Sequence, residues 1–141
     1  MTSKELAKAC AQKMWAQDTA SQELGMVLND VDAGEARISM RVTKTMANGH
    51  GTCHGGYIFT LADSAFAFAC NTYNQVTVAQ QCSVTFLAPA HVDDRLTAEA
   101  REQSRSGRSG LYDVTITNQH GDKIAEFRGN SRTTKGTILP V

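Results

Sequence analysis

Asp63 is the only charge in the run GGYIFTLADSAFAFAC, which spans Gly55 to Cys70 and is otherwise almost wholly apolar or small. A helix that is oily on every side is a buried helix. Aspartate is a poor helix former, and an unpaired buried charge costs several kcal/mol. A carboxylate kept in such a place has a partner or a task. Gly56, Thr60, Asp63 and Ala67 follow one another at steps of four, three and four, so they share one helix face that is small or polar where the others are greasy. That stripe fits the wall of a cavity, where a desolvated carboxylate suits general-base or nucleophilic chemistry.

The second chemical group is the start of the same helix. The amides of Gly55 and Gly56 fall in the first turn, where backbone N–H groups have no intrahelical partner and carry the positive end of the dipole. Such amides can receive a developing oxyanion, and glycine lets a ligand carbonyl come close. Asn48, His50 and His54 crowd the same entrance. Gly55 and Asp63 are nevertheless about 12 Å apart along a helix axis that rises about 1.5 Å per residue. A base and an oxyanion donor must each lie about 3 Å from the reacting atoms. If both serve one substrate, Asp63 of one subunit faces Gly55 of another, and the minimal active unit is a homodimer.

Other chemistries fit these residues less well. Cys53 and His54 are adjacent, and adjacent side chains seldom meet as a nucleophile and its base. His50, Cys53 and His54 lack a matching fourth ligand, so no metal site is expected. In GHGTCHGG the last glycine of a dinucleotide fingerprint would fall on His54.

The elements that must hold these groups follow from periodicity. Thr2 with Glu5 can form a capping box, and Leu6, Ala7, Cys10, Ala11, Met14 and Trp15 recur at helical spacing to about Gln17. Leu24 to Val31 and Ala36 to Val42 read as strands joined at Ala33-Gly34. Thr43 to Cys53 is loop by composition. After the apolar helix, Val78, Gln80, Cys82, Val84 and Phe86 alternate with polar neighbours. Further strands are expected over Leu96–Gln103, Leu111–Asn118 and Ile124–Thr133, with turns at 104–108 and 119–122. Residues 134–141 read as a flexible tail. The order is that of an α+β fold, one domain over 1–141 with an N-terminal helical segment over 1–20 and an antiparallel sheet wrapped around the long helix.

At 141 residues with zero formal net charge, the chain offers no global field to gather nucleic acid or to hold an anionic membrane. The apolar run is too short to cross a bilayer. The start MTSKELAKAC is charged and has no signal-peptide pattern, so the cytoplasm is the expected compartment. Cys10, Cys53, Cys70 and Cys82 lack paired spacing and read as reduced thiols, three of them buried.

The run from Asn48 through His54-Gly55-Gly56 into LADSAFAFAC, with QCSVTFLAPA and EFRGNSRTTKG beyond it, resembles the hotdog-fold acyl-CoA thioesterases, nearest to their phenylacetic acid degradation branch. The resemblance implies a sheet wrapped around the central helix, and dimers that pair into homotetramers. It also implies hydrolysis of phenylacetyl-CoA or hydroxyphenylacetyl-CoA with no cofactor, coenzyme A being part of the substrate. By the family pattern Asp63 is base or nucleophile, Gly55 polarises the thioester carbonyl, and Asn48 and His54 orient substrate, water or leaving thiolate, with Gly56 beside them. Related branches place Thr or Ser one turn after the acid. Here that position is Ala67, so Gln81 or Ser83 is the expected helper. For the phosphates of coenzyme A the candidates are Arg105, Arg108 and Lys135, with Arg101, Arg128 and Arg132 nearby in sequence. Two rival readings use the same scaffold, a hydroxyacyl-thioester dehydratase and a non-catalytic acyl-CoA sensor.

Overall fold

A computed structural model describes residues 1–140. Helix α1 (Ser3–Gln17) starts as its sequence dictates. The Glu5 amide donates to the Thr2 hydroxyl at 3.1 Å and the Thr2 amide donates to the Glu5 carboxylate at 2.9 Å, the reciprocal pairing of a capping box. Its buried side, Ala7, Cys10 and Ala11, packs on the first strand. A short helix α2 (Thr19–Glu23) follows, capped by Asp18. It is too brief to leave an apolar period in the sequence.

Strands β1 (Val27–Asp32) and β2 (Glu35–Arg41) form the expected hairpin, and helix α3 (Gly55–Cys70) comes after a loop holding one 3-10 turn at Lys44–Met46. Strands β3 (Thr77–Phe86), β4 (Arg95–Ser106), β5 (Ser109–Thr117) and β6 (Lys123–Thr133) complete a six-stranded sheet of order β1-β2-β4-β5-β6-β3, antiparallel throughout. The α+β class and the sheet laid around a central helix are as expected. The turn expected over 104–108 is tighter, since β4 and β5 stay paired up to Ser106 and Ser109 around Gly107.

One departure has consequences. The register shifts between Ala79 and Gln81, and a bulge of one residue reverses which side chains face the core. Val78 and Gln80 were expected to share a face with Cys82, Val84 and Phe86. Cys82 and Val84 do pack against the core, whereas Val78 is 47% exposed.

Helix α3 lies across the sheet and touches β2, β4, β5, β3 and β6. The contact is aromatic. Phe66 meets Tyr112 and Phe127 at 5.7 Å between ring centroids, and Phe59 meets Phe127 at 5.5 Å. Phe66 rests directly on the backbone of Gly129 in β6, so that a Cβ built there would come within 2.8 Å of the ring. The helix is not buried on every side as expected. Ile58, Leu61, Ala62, Ala65, Phe66, Phe68, Ala69 and Cys70 are buried, but Thr60, Asp63 and Ala67 are only partly covered and Gly56 is exposed.

Cys10, Cys53 and Cys70 are buried and Cys82 is partly so, all as free thiols. Residues 134–140, expected to be loose, are hydrogen-bonded to the segment after α3. The Ile138 and Leu139 amides donate to the Asn74 side-chain oxygen, and the Thr134 amide donates to the Val76 carbonyl. Val141, the last residue of that expected tail, lies outside the described residues. No described helix is long and apolar enough to cross a membrane.

Because the Phe66 ring leaves no room at position 129, Gly129→Ala is expected to lower stability by about 1–3 kcal/mol. Adding Phe66→Leu should make the two costs less than additive. Urea unfolding midpoints of the two single variants and the double variant check this.

Candidate active site

Asp63 stands where α3 turns from its aromatic side to its open stripe. Phe59 and Phe66, four residues before and three after, point into the core on its one side, and Thr60 and Ala67 lie on the other. Its carboxylate takes part in no hydrogen bond or ion pair among the described residues, so it is not locked into scaffold contacts. Burial pushes its pKa up. Its charge is felt by two thiols, Cys70, pushed up to about 12 chiefly by burial, and Cys82 on β3, raised first by burial and then by Asp63. A carboxylate without donors in apolar surroundings binds protons more strongly than one in water, which is what a base needs.

The N-terminus of α3 separates its two glycines. His54 is the N-cap, and its Nδ1 accepts from the Gly56 amide at 3.0 Å. That bond requires the Nδ1 lone pair, so a neutral His54 ring carries its hydrogen on Nε2. Gly56, expected as a substrate contact, has spent its amide on the cap. The Gly55 amide has no partner among the described residues and remains the free donor. Cys53 and His54 form no reactive pair, since the Cys53 thiol donates to the His54 carbonyl at 3.6 Å and is raised in pKa by burial.

Asn48 holds the loop in front of this helix. Its side-chain oxygen accepts from the His50 amide at 2.9 Å, the Thr52 amide at 3.3 Å and the Thr52 hydroxyl at 3.2 Å. Its Nδ2 has no partner among the described residues. The His54 amide in turn donates to the Met46 carbonyl at 2.7 Å and the Cys53 amide to the Ala90 carbonyl at 2.8 Å. These bonds fix the loop against the segment after β3. An apolar cavity of about 490 Å³ opens there, lined by Gly55 and Ile58 on one side and by Phe86, Leu87, Pro89 and Ala90 on the other. Asp63 does not reach it.

The remaining expected residues divide. Gln81 and Ser83 follow the bulge and face away from α3. Ser83 lines a polar depression with Thr85, Asp113, Glu126 and Arg128 on the far side of the sheet. Neither can help Asp63 of the same chain, and the partner for Ala67's missing hydroxyl is not supplied by β3. Arg105 is engaged elsewhere, with its guanidinium 3.4 Å from the Tyr73 ring centroid and 4.0 Å from Glu102. Arg128 is paired with Asp113 at 2.6 Å. Arg108 and Lys135 are exposed and, with Arg132, have no acidic partner among the described residues. They gather at one end of the sheet, where Ser109 pairs with Arg132 and the Thr133 amide donates to the Arg108 carbonyl.

Within one chain, therefore, Asn48, His54 and Gly55 come together with the cavity. Asp63 lies farther along α3, and the unpaired cations lie at the opposite end from the cavity. Phe86, Leu87 and Cys82 are neighbours of these groups that the sequence reading passed over. The signal for the first two is the apolar pair that closes β3 before Pro89, large side chains at the end of an edge strand.

The sequence matches the family model of the thioesterase superfamily over residues 50–125. It is 42% identical over 128 residues to the acyl-coenzyme A thioesterase PaaI of Escherichia coli strain K12, covering 91% of each chain. The solved structure of the E. coli PaaI protein, from the phenylacetic acid degradation operon, superposes with a TM-score of 0.95 at 40% identity, covering 96% of this chain and 99% of that one. A hypothetical thioesterase protein of Streptococcus pneumoniae TIGR4, solved with coenzyme A, superposes with a TM-score of 0.76 at 25% identity, over 79% of this chain and 88% of the other.

Two stability measurements test this geometry. His54→Ala orphans the Gly56 amide and is expected to cost about 1 kcal/mol, while His54→Asn, which can cap in its place, should restore most of it; urea unfolding gives both values. For Asp63 the shift is upward, so folding favours the protonated acid, and the ionised form costs stability once pH has risen through the shifted pKa. Asp63→Asn should therefore raise Tm at neutral pH. That advantage should shrink as pH falls toward about 4, the ordinary carboxylate range, in thermal unfolding across a pH series.

Proposed function

The chain belongs to the thioesterase superfamily and is a thioester hydrolase, and we propose that its substrates are aryl-acetyl thioesters of coenzyme A, phenylacetyl-CoA or its hydroxylated relatives, cleaved in the cytoplasm to the free acid and CoA. The acyl class is that suggested by the E. coli relative and its operon. Coenzyme A enters as part of the substrate. The observation that carries the reading is a pair of unsatisfied groups on α3. The Asp63 carboxylate and the Gly55 amide are both without partners among the described residues, about 12 Å apart along one helix.

A second copy of the chain brings such groups together. Strand β3 is an edge of the sheet, with its outer backbone groups beyond Thr77 unpaired among the described residues and with Val78 and Phe86, and Leu87 just beyond, about half exposed. An edge of that kind invites another strand. The open stripe of α3 lies beside it, and α3 packs on β3. We take the homodimer as the active unit, with two dimers pairing into a tetramer as in the family pattern.

In that unit, water is held between Asp63 of one subunit and a thioester whose carbonyl oxygen accepts from the Gly55 amide of the other. Asp63 takes a proton as the water oxygen bonds to the carbonyl carbon. The oxyanion forms against Gly55 at the positive end of α3. Collapse breaks the carbon–sulfur bond, and the thiolate leaves as coenzyme A with the proton that Asp63 returns. Direct attack by the carboxylate, giving an anhydride that water then opens, uses the same geometry. Asn48 Nδ2 and His54 Nε2 are donors placed to orient the carbonyl or the departing sulfur. Arg108, Arg132 and Lys135, at the end of the sheet away from the cavity, supply cations for the CoA phosphates.

Thiol release from phenylacetyl-CoA is the direct test. The unaltered protein is expected to release thiol, and Asp63→Asn to lose at least about 10²-fold in rate, the lower bound for a general base, with its fold retained. Co-expressed Asp63→Asn and Gly55→Ala chains should regain activity that neither has alone, because each mixed dimer keeps one intact pairing. Binding without thiol release would make the protein a sensor. Hydration of an enoyl-CoA in its place would make it a dehydratase, and either result overturns the proposal.

A further inference from the structure

Phe86 is the last residue of β3 and pairs with Ala125 of β6. Beyond the bulge at Gln80 the pairing is regular, so alternation puts it on the same side of the sheet as Cys82 and Val84, toward α3. Its ring closes over the first residue of that helix. A Cβ built on Gly55 would lie 2.9 Å from the ring's Cζ and 3.3 to 3.4 Å from both Cε atoms. Gly55 has an ordinary backbone conformation, since it is absent from the glycines with positive φ. The need for glycine at position 55 thus comes from this ring, not from backbone strain.

Phe86 is nevertheless 52% exposed as a residue, as is Leu87. An aromatic side chain left half open on an apolar cavity that Gly55, with its unpaired amide, also lines is close enough to meet whatever is attached to a carbonyl held by that amide. We infer that Phe86 determines acyl specificity, its ring stacking on an aryl group whose thioester carbonyl accepts from Gly55. This rests on the thioesterase reading and goes beyond it by naming the residue that selects aryl over alkyl chains. An aliphatic acyl chain fills the same cavity through its apolar area alone. An aryl group gains in addition the preference of one ring for another in offset or edge-to-face contact.

The experiment compares kcat/KM for phenylacetyl-CoA and hexanoyl-CoA, measured on the same preparations of the unaltered protein, two ringless variants, Phe86→Leu and Phe86→Met, and the ring-retaining Phe86→Tyr. The ratio of the two values does not depend on the fraction of each preparation that is folded. Both ringless variants are expected to lower the aryl-to-alkyl ratio by about 2- to 10-fold, the range for an aromatic pair, and Phe86→Tyr to keep it. Gly55→Ala combined with Phe86→Leu should recover part of the activity that Gly55→Ala alone removes, because the shorter side chain clears the added methyl. A protein that hydrolyses neither thioester overturns the thioesterase reading and this one with it. A protein that hydrolyses both, and whose ratio in the ringless variants is unchanged or raised, overturns the assignment of Phe86 alone.

Discussion

The placement of every chemical group in this protein depends on how closely α3 approaches the sheet. Phe66 rests on the bare backbone of Gly129, flanked by Tyr112 and Phe127. Close-packed aromatic contacts of this kind leave little freedom for a helix to slide or roll. Phe59 makes a similar contact with Phe127 about two helical turns earlier. Asp63 lies between those two rings in sequence. The anchors that fix the helix therefore also fix how far its carboxylate stands from water, and hence how strongly it holds a proton.

The two ends of α3 are secured differently. At the C-terminal end the Asn71 side chain donates to the Ala67 and Thr77 carbonyls and accepts from the Thr77 amide, while the Thr72 hydroxyl donates to the Ala69 carbonyl and accepts from the Gly34 amide. These bonds tie that end of the helix to β3 and to the β1–β2 hairpin. At the N-terminal end the cap satisfies Gly56 and leaves Gly55 alone. An unpaired donor beside a cavity is a costly arrangement for a fold and a useful one for a ligand.

Much of this was legible before any coordinates. The capping box at Thr2, the strand patterns and the apolar run around Asp63 gave α1, the six strands and α3 from local chemistry alone. The small and polar stripe of α3 followed from the spacing of Gly56, Thr60, Asp63 and Ala67, although the helix read as buried all round and that stripe lies partly open. What escaped depended on single residues with no periodic signature. A bulge at Gln80 sent Val78 outward, while Gln81 and Ser83 lie opposite the core-facing Cys82 and Val84 and so face away from α3. The stacking of Arg105 on Tyr73 joins residues far apart in sequence. Helix α2 has only five residues, and the division of labour between Gly55 and Gly56 turns on one ring nitrogen of His54.

That ring nitrogen and the side-chain oxygen of Asn48 have something in common: both lone-pair atoms are consumed by the protein's own backbone. What these two residues and Gly55 leave unpaired among the described residues is hydrogen, on Asn48 Nδ2, on His54 Nε2 of the neutral ring and on the Gly55 amide. Those three donors suit electron-rich oxygen or sulfur, while an ammonium group or a metal cation arriving at those three atoms would find nothing there to hold it.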